Sequence, residues 1–187
     1  SMKKLTLASQ SPGRKEALEK AGFVFEIIPS DYEEKMDWNL SPSELVLKLS
    51  QGKARDVASK VAEGVVIGAD TVGVFEGEIM GKPHTEEKDI EMLTKLSGKY
   101  HTMLTGITLI DMETKREISK VVETKVSFRN LSEEEIKDYA KSGEGLKKAG
   151  GYAYQGAGHK FVERIDGSET NIIGMPVETL TEMLKTL

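Results

Sequence analysis

Residues 65–83 read VVIGADTVGVFEGEIMGKP, and the way this stretch folds decides the architecture. Val65, Val66 and Ile67 form a β-branched apolar run of the kind a buried strand needs, and the run stops at Gly68. Gly68 and Ala69 carry almost no side chain, so Asp70 can sit at the strand's end with another group close to the backbone. Thr71 adds a hydroxyl beside it. Residues 72–75 and 78–80 flank Glu76 and Gly77, a pair that turns the segment back as a hairpin. The hairpin is expected to return Lys82 toward Asp70, with Pro83 keeping the backbone at Lys82 extended. Two readings of these residues stand side by side: an acid and a cation sharing a site, or a turn-capping Asp70 and a solvated Lys82.

Upstream, residues 5–8 read as a strand that runs into Ser9, Gln10, Ser11, Pro12, Gly13, Arg14 and Lys15. Ala17, Leu18 and Ala21 then recur at helical spacing and Gly22 stops the helix. A strand, a small polar loop and a helix N-terminus make an anion-binding geometry, because the first-turn amides are unpaired there. Ser9, Ser11 and Arg14 could add donors to it, or Ser9 or Ser11 is simply an N-cap. Residues 25–28 read as a second strand, followed by a loop with acids at Asp31, Glu33 and Glu34. Such a run either faces solvent or supplies oxygen ligands to a hard cation. For Trp38, local packing and ligand cover are both open. Ser41, Pro42, Ser43 and Glu44 form a capping box that opens a long helix containing Lys53.

Downstream, Thr85 caps a helix reaching Leu96, and residues 103–110 and 121–128 read as antiparallel strands on either side of a turn. Ser132 and Glu135 form another capping box, opening a helix that ends at Ser142 and Gly143. Residues 145–158, GLKKAGGYAYQGAG, are too rich in glycine for an ordinary helix or strand and read as a loop that lets backbone approach a ligand. Tyr152, Tyr154 and Gln155 supply stacking and amide chemistry suited to a nucleobase edge. Residues 160–165 follow as a strand, Asp166-Gly167 as a turn, and a final helix spans 177–184 after Pro176.

The chain has 187 residues and no cysteine, which allows a substantial core without staples and excludes thiol catalysis and cysteine-ligated metals. Its net charge of −5 argues against a general nucleic-acid binder, and no apolar run approaches a membrane span. The expectation is a soluble, cytoplasmic protein. Ser1 ahead of Met2 reads as a cloning remnant and is set aside, leaving 2–187 as one domain with no firm internal boundary.

In order along the chain stand LTLASQSPGRKEAL, SDYEEK, QGKAR, VVIGADTV, GEIMGKP, LSGKYHTMLTG, LSEEEIKDY and KAGGYAYQGAGHKFVERIDG. Together they resemble the Maf family of nucleoside triphosphate pyrophosphatases across nearly the whole chain. The resemblance implies an α/β fold with a mixed, twisted central sheet flanked by helices, two lobes around a cleft, a relationship to inosine triphosphate pyrophosphatases, and a homodimer. It implies hydrolysis of the bond between the α and β phosphates of a nucleoside triphosphate, giving a nucleoside monophosphate and pyrophosphate. Asp70 would then be the general base, Glu34 and Asp70 ligands of Mg²⁺ or another divalent cation such as Mn²⁺, and Ser9, Arg14, Lys53 and Lys82 phosphate ligands. The YxxQG pattern at residues 152–156 looks like the branch acting on dTTP, UTP and related pyrimidines, with Gln155 as a buried base reader.

Two positions depart from the family pattern: Gly13 stands where a first arginine is common, and Lys147 where an acid commonly precedes KAG. A non-catalytic nucleotide-binding regulator of septum formation is the competing reading, and a phosphomonoesterase a third.

Overall fold

The structure, a computed structural model, describes residues 3–37 and 39–187. Ser1 and Trp38 therefore lie outside the described residues. Seven strands are present: β1 (Leu5–Leu7), β2 (Phe25–Ile27), β3 (Val65–Phe75), β4 (Glu78–Met80), β5 (Tyr100–Asp111), β6 (Glu117–Phe128) and β7 (Val162–Asp166). They form one mixed sheet in the order β2-β1-β3-β5-β6-β7, with β4 paired to β3. The chain groups into two compact units, one of Ser1–Thr71, Leu104–Val122 and Glu169–Leu187, the other of Val72–Met103 and Glu123–Ser168.

In the first unit β1 pairs in parallel with both β2 and β3, Leu5 standing opposite Val65 and Leu7 opposite Ile67. Helices α1 (Pro12–Lys20) and α2 (Pro42–Ala58) follow β1 and β2, and α5 (Glu169–Ile173) and α6 (Val177–Lys185) close the chain. Side chains along a strand point alternately to opposite faces. Val65, Ile67 and Ala69 accordingly join a core with Leu18 of α1 and Leu180 of α6, while Val66 joins one with Ala54 and Val57 of α2. Both faces are covered, which is why residues 65–67 are continuously apolar instead of alternating. The same alternation sends Gly68 and Asp70 toward α2 and Thr71 toward α1. The Ser41–Glu44 capping box fixes the start of α2 as the sequence predicts. Strands β5 and β6 neighbour each other across a short connection, with Asp111 N–H donating to Arg116 O at 2.9 Å. So short a connection allows only an antiparallel pair.

In the second unit the end of β3 pairs antiparallel with β4, Gly73 opposite Met80. Glu76 and Gly77 carry φ of 50° and 82°, the left-handed pair that a two-residue hairpin turn requires. Helix α3 (Glu86–Leu96) starts at Thr85, and α4 (Glu133–Ser142) starts at the Ser132–Glu135 capping box and ends at Gly143. Strand β7 pairs antiparallel with β6. The core here is aromatic: Phe128 contacts Tyr152 and Phe161 at centroid distances of 4.8 and 5.8 Å, and Tyr139 lies 4.8 Å from Phe161.

Four details differ from the sequence expectation. Strand β3 does not stop near Gly68 but runs on to Phe75, because its apolar residues resume at Val72, so Asp70 lies inside the strand and not at its end. Lys160 and Phe161 belong to a 3-10 turn, Ala157–Phe161, so the last strand starts at Val162. Helix α5 went unforeseen because five residues are too few to show a helical period. The strands expected at 103–110 and 121–128 begin earlier, at Tyr100 and Glu117. No helix among the described residues is long and apolar enough to cross a membrane.

Candidate active site

Asp70 lies on the α2-facing row of β3, midway along the strand, and Lys53 of α2 is the side chain it meets. Gly68 makes the approach possible, since a Cβ there would lie 2.8 Å from Ala54 N and 2.5 Å from Ser50 O. Lys53 Nζ donates to Asp70 Oδ1 at 2.8 Å and to Ala69 O at 3.2 Å. Its third contact is Glu34 Oε1 at 2.6 Å. Two hydrogen bonds and an ion pair thus hold the ammonium group. The Lys53 and Asp70 side chains are each 10% exposed and Glu34 is 54% exposed, so one carboxylate of the pair is fixed and the other faces water.

Glu34 reaches Lys53 because the acidic loop is laid along α2. Asp31 N–H donates to Asp56 Oδ2 at 2.8 Å, and Tyr32 N–H to Ser30 Oγ at 3.0 Å. The Tyr32 ring occupies the space a Cβ on Gly52 would take. Gly52 therefore seats the loop one residue before Lys53, a role the QGKAR string gave no reason to assign.

Burial pushes the Asp70 carboxyl above its ordinary value. Lys53 and Arg14 pull it back and Glu34 pushes it further, and the net direction is upward. Two carboxylates share one ammonium here, which leaves a surplus of negative charge. Glu34 and Asp70 are oxygen donors of the kind Mg²⁺ takes, and Mg²⁺ commonly needs only one or two carboxylates besides substrate phosphates. The donor set fits such an ion. Among the described residues no three His, Asp or Glu side chains form a ready metal cage, so substrate oxygens would have to complete the shell.

Thr71, on the opposite face of β3, meets Arg14 of α1. Arg14 Nε donates to Gly174 O at 2.8 Å, one terminal nitrogen to Ser9 Oγ at 3.4 Å and the other to Thr71 Oγ1 at 3.1 Å. Thr71 and Thr105 hydroxyls are 2.8 Å apart, and Thr105 donates to Asn171 O at 3.2 Å. Three of five guanidinium N–H groups are used, leaving one on each terminal nitrogen for an anion. Burial pulls the Arg14 guanidinium down from its ordinary value while Asp70 and Glu34 push it back up, which ties it electrically to the acid pair. The two serine readings now separate. Ser11 is the N-cap, accepting from Arg14 N–H at 3.2 Å, whereas Ser9 Oγ accepts from Ser11 N–H and from the Arg14 side chain. Lys15, beside Gly13, is exposed and lies 3.8 Å from Glu19.

Lys82 and Gln155 belong to the second unit. Lys82 is exposed just past β4 and lines a groove with Phe75, Met80, Met92 and Lys95. Gln155 is exposed too, which corrects the expectation of a buried amide: it sits in a turn between buried Tyr154 and exposed Gly156. Behind it Tyr152 is buried with its hydroxyl 2.6 Å from His101 Nε2, and burial lowers the His101 pKa to about 4, so the ring is neutral. Lys147 is exposed.

A seven-stranded mixed sheet with flanking helices makes the chain an α/β protein, and its fold is similar to that of HAM1 proteins. A HAM1 protein from Coxiella burnetii superposes with a TM-score of 0.55 at 14% identity, covering 100% of each chain, a likeness of fold alone. More particularly, the chain belongs to the Maf family, whose model, described as Maf-like protein, matches residues 4–187. A dTTP/UTP pyrophosphatase of Ruminiclostridium cellulolyticum is 48% identical over 187 residues, 100% of this chain and 97% of that one. One from Carboxydothermus hydrogenoformans is 48% identical over 182 residues, 97% of each chain. Another, from Methanosarcina mazei, is 42% identical over 187 residues, 100% of this chain and 95% of that one.

Proposed function

We infer that this chain is a nucleoside triphosphate pyrophosphatase acting on dTTP and UTP, as its relatives' names say of them. The activity is a hydrolysis at the α-β phosphoanhydride. The observation that carries its assignment to particular residues is the Lys53 bridge between Asp70 and Glu34. A protein that bound nucleotide without turning it over would need the cations but not a buried acid of raised basicity, and the relatives named as pyrophosphatases do not favour that regulatory reading.

Asp70 is assigned the role of general base. Lys53 holds Oδ1, so Oδ2 is assigned the proton of the attacking water. The water oxygen bonds to the α-phosphorus, the bond from that phosphorus to the bridging oxygen breaks, and pyrophosphate leaves with the electron pair. Asp70's raised pKa suits it to this task, because a carboxylate nearer neutrality accepts a proton more readily. Glu34 and Asp70 would hold a divalent cation, Mg²⁺ or Mn²⁺, which when bound lowers the pKa of water and neutralises phosphate charge. Ser9 and Arg14 present a hydroxyl and two N–H groups to phosphate oxygens. The resemblance assigns Lys82 to the phosphates, Gln155 to the base edge, and the working form to a homodimer; composition points to the cytoplasm.

Incubation with a nucleotide panel and Mg²⁺ tests the reading. Monophosphate and pyrophosphate from UTP and dTTP are the expected products. Diphosphate and orthophosphate would make it a phosphohydrolase of another kind, and no turnover would leave the regulator.

A further inference from the structure

Gln155 stands exposed at the apex of a loop whose two shoulders are tied to the same pair of side chains. Tyr139 of α4 accepts a hydrogen bond from Ala153 N–H at 2.9 Å and donates its own hydrogen to Glu144 Oε1 at 2.8 Å. Glu144 Oε2 accepts from Ala157 N–H at 3.2 Å, and Oε1 from Gly158 N–H at 3.2 Å. One phenol and one carboxylate therefore hold three backbone N–H groups, two residues before Gln155 and two and three residues after it. Gly156 lies directly on the Glu144 carboxylate, where a Cβ would overlap it. Glu144 itself follows Gly143, whose φ of 78° ends α4 and turns the chain back under the loop. Burial would raise the Glu144 pKa, but the Tyr139 and backbone hydrogen bonds outweigh it and hold the group below its ordinary value, so it is a carboxylate throughout the working pH range.

We propose that Glu144 and Tyr139 are positioning residues for base selection, holding the Gln155 backbone in the conformation that presents its amide to a pyrimidine edge. An exposed glutamine among glycines loses much conformational freedom when it orders around a ligand. The tether removes most of that cost before the nucleotide arrives. Neither residue needs to touch substrate. The inference rests on reading Gln155 as the base reader, so the experiment carries Gln155→Ala beside Tyr139→Phe and Glu144→Gln.

Tyr139→Phe removes one oxygen, and Glu144→Gln exchanges an acceptor for an amide that cannot accept from both Ala157 and Gly158. Rates are measured with UTP, dTTP, CTP and GTP, with thermal unfolding as the control for folding. Each of the two variants is expected to lower kcat/KM for UTP and dTTP about ten-fold, mainly through KM, and to flatten the ranking among bases. In the Gln155→Ala background, adding Glu144→Gln should change kcat/KM less than about two-fold, because residues acting as one unit are not additive. Equal losses for every base, or fully additive losses, overturn the proposal and leave Glu144 a stabiliser of the loop. If Gln155→Ala leaves the ranking intact, the reading of Gln155 falls and the proposal with it. If Gln155→Ala flattens the ranking and the other two do not, only the proposal falls. Should both variants fail to fold, amide exchange in the unaltered protein decides: Ala153, Ala157 and Gly158 are expected to be protected, and free exchange at those amides ends the idea.

Discussion

Lys53 on α2 donates to Asp70 on β3 over 2.8 Å, and each side chain is only 10% exposed. The two are not equivalent to remove. Taking Lys53 away leaves a buried carboxylate beside a second one, whereas taking the charge off Asp70 leaves Lys53 still bound to Glu34.

Asp70→Asn is therefore expected to keep the fold and lose turnover by a factor on the order of 10² to 10⁴, the usual worth of a general base. Because burial raises the Asp70 pKa from 3.8, the charged form costs stability at neutral pH, so the asparagine variant should melt no lower than the unaltered protein. Lys53→Met should instead destabilise by about 3 kcal/mol. Pyrophosphate release and urea titration at pH 7 check both; wild-type turnover in Asp70→Asn would falsify its role as base.

The pH profile offers a second handle on the same pair. Activity needs Asp70 ionised, so kcat/KM should fall as pH is lowered through a pKa above the ordinary 3.8. Glu34 raises that pKa and Lys53 lowers it. Glu34→Gln should move the acid limb to lower pH and Lys53→Met should move it to higher pH, whatever each does to the plateau. A limb that stays fixed in both variants would assign it to another group.

What the sequence shows of all this is what is local. The boxes at Ser41–Glu44 and Ser132–Glu135 and the Glu76-Gly77 turn each lie within a few residues and form as read, and the run at residues 65–67 is a buried strand, though one that continues to Phe75. Strand alternation even places Asp70 and Thr71 on opposite faces. Which helix covers each face is a non-local matter: Arg14 is held by the carbonyl of Gly174, 160 residues away, and nothing in SQSPGRK points there. The resemblance implies two lobes, but the residues do not show where the two units divide. Their boundaries at 71/72, 103/104 and 122/123 fall inside β3, β5 and β6, where no linker composition marks them. Gln155 reads as buried because a base-reading amide is expected to be dry, while its place in a surface turn exposes it instead.

Gly52 separates activity from stability. Alanine is the better helix former by up to about 1 kcal/mol, so Gly52→Ala should leave α2 as stable or more so. The added Cβ overlaps the Tyr32 ring, which must swing away and take the loop carrying Glu34 with it. The Mg²⁺ concentration giving half the maximal rate should rise several-fold, with unfolding in urea unchanged or later. Chelation with EDTA should stop turnover in both proteins, and excess Mg²⁺ should restore it in both. An unchanged Mg²⁺ dependence would mean that Glu34 is not placed by the Tyr32–Gly52 contact.

Asp89, in α3, is fully buried, and among the described residues neither of its carboxylate oxygens has a hydrogen-bond partner. A Cβ on Gly151 would overlap Oδ1, so the acid lies against the backbone of the glycine-rich loop. Burial raises its pKa to about 6 from 3.8. The folded state thus holds a proton that the unfolded chain has released between those values, and stability falls as pH rises through that window. Above about pH 6 the ionised group costs up to about 3 kcal/mol. Asp89→Asn keeps the shape and cannot ionise. Its melting temperature should match that of the unaltered protein near pH 4, exceed it increasingly up to pH 6, and stay higher by a constant margin beyond. A margin independent of pH would mean that folding does not raise the Asp89 pKa, the group finding a counter-charge when it ionises.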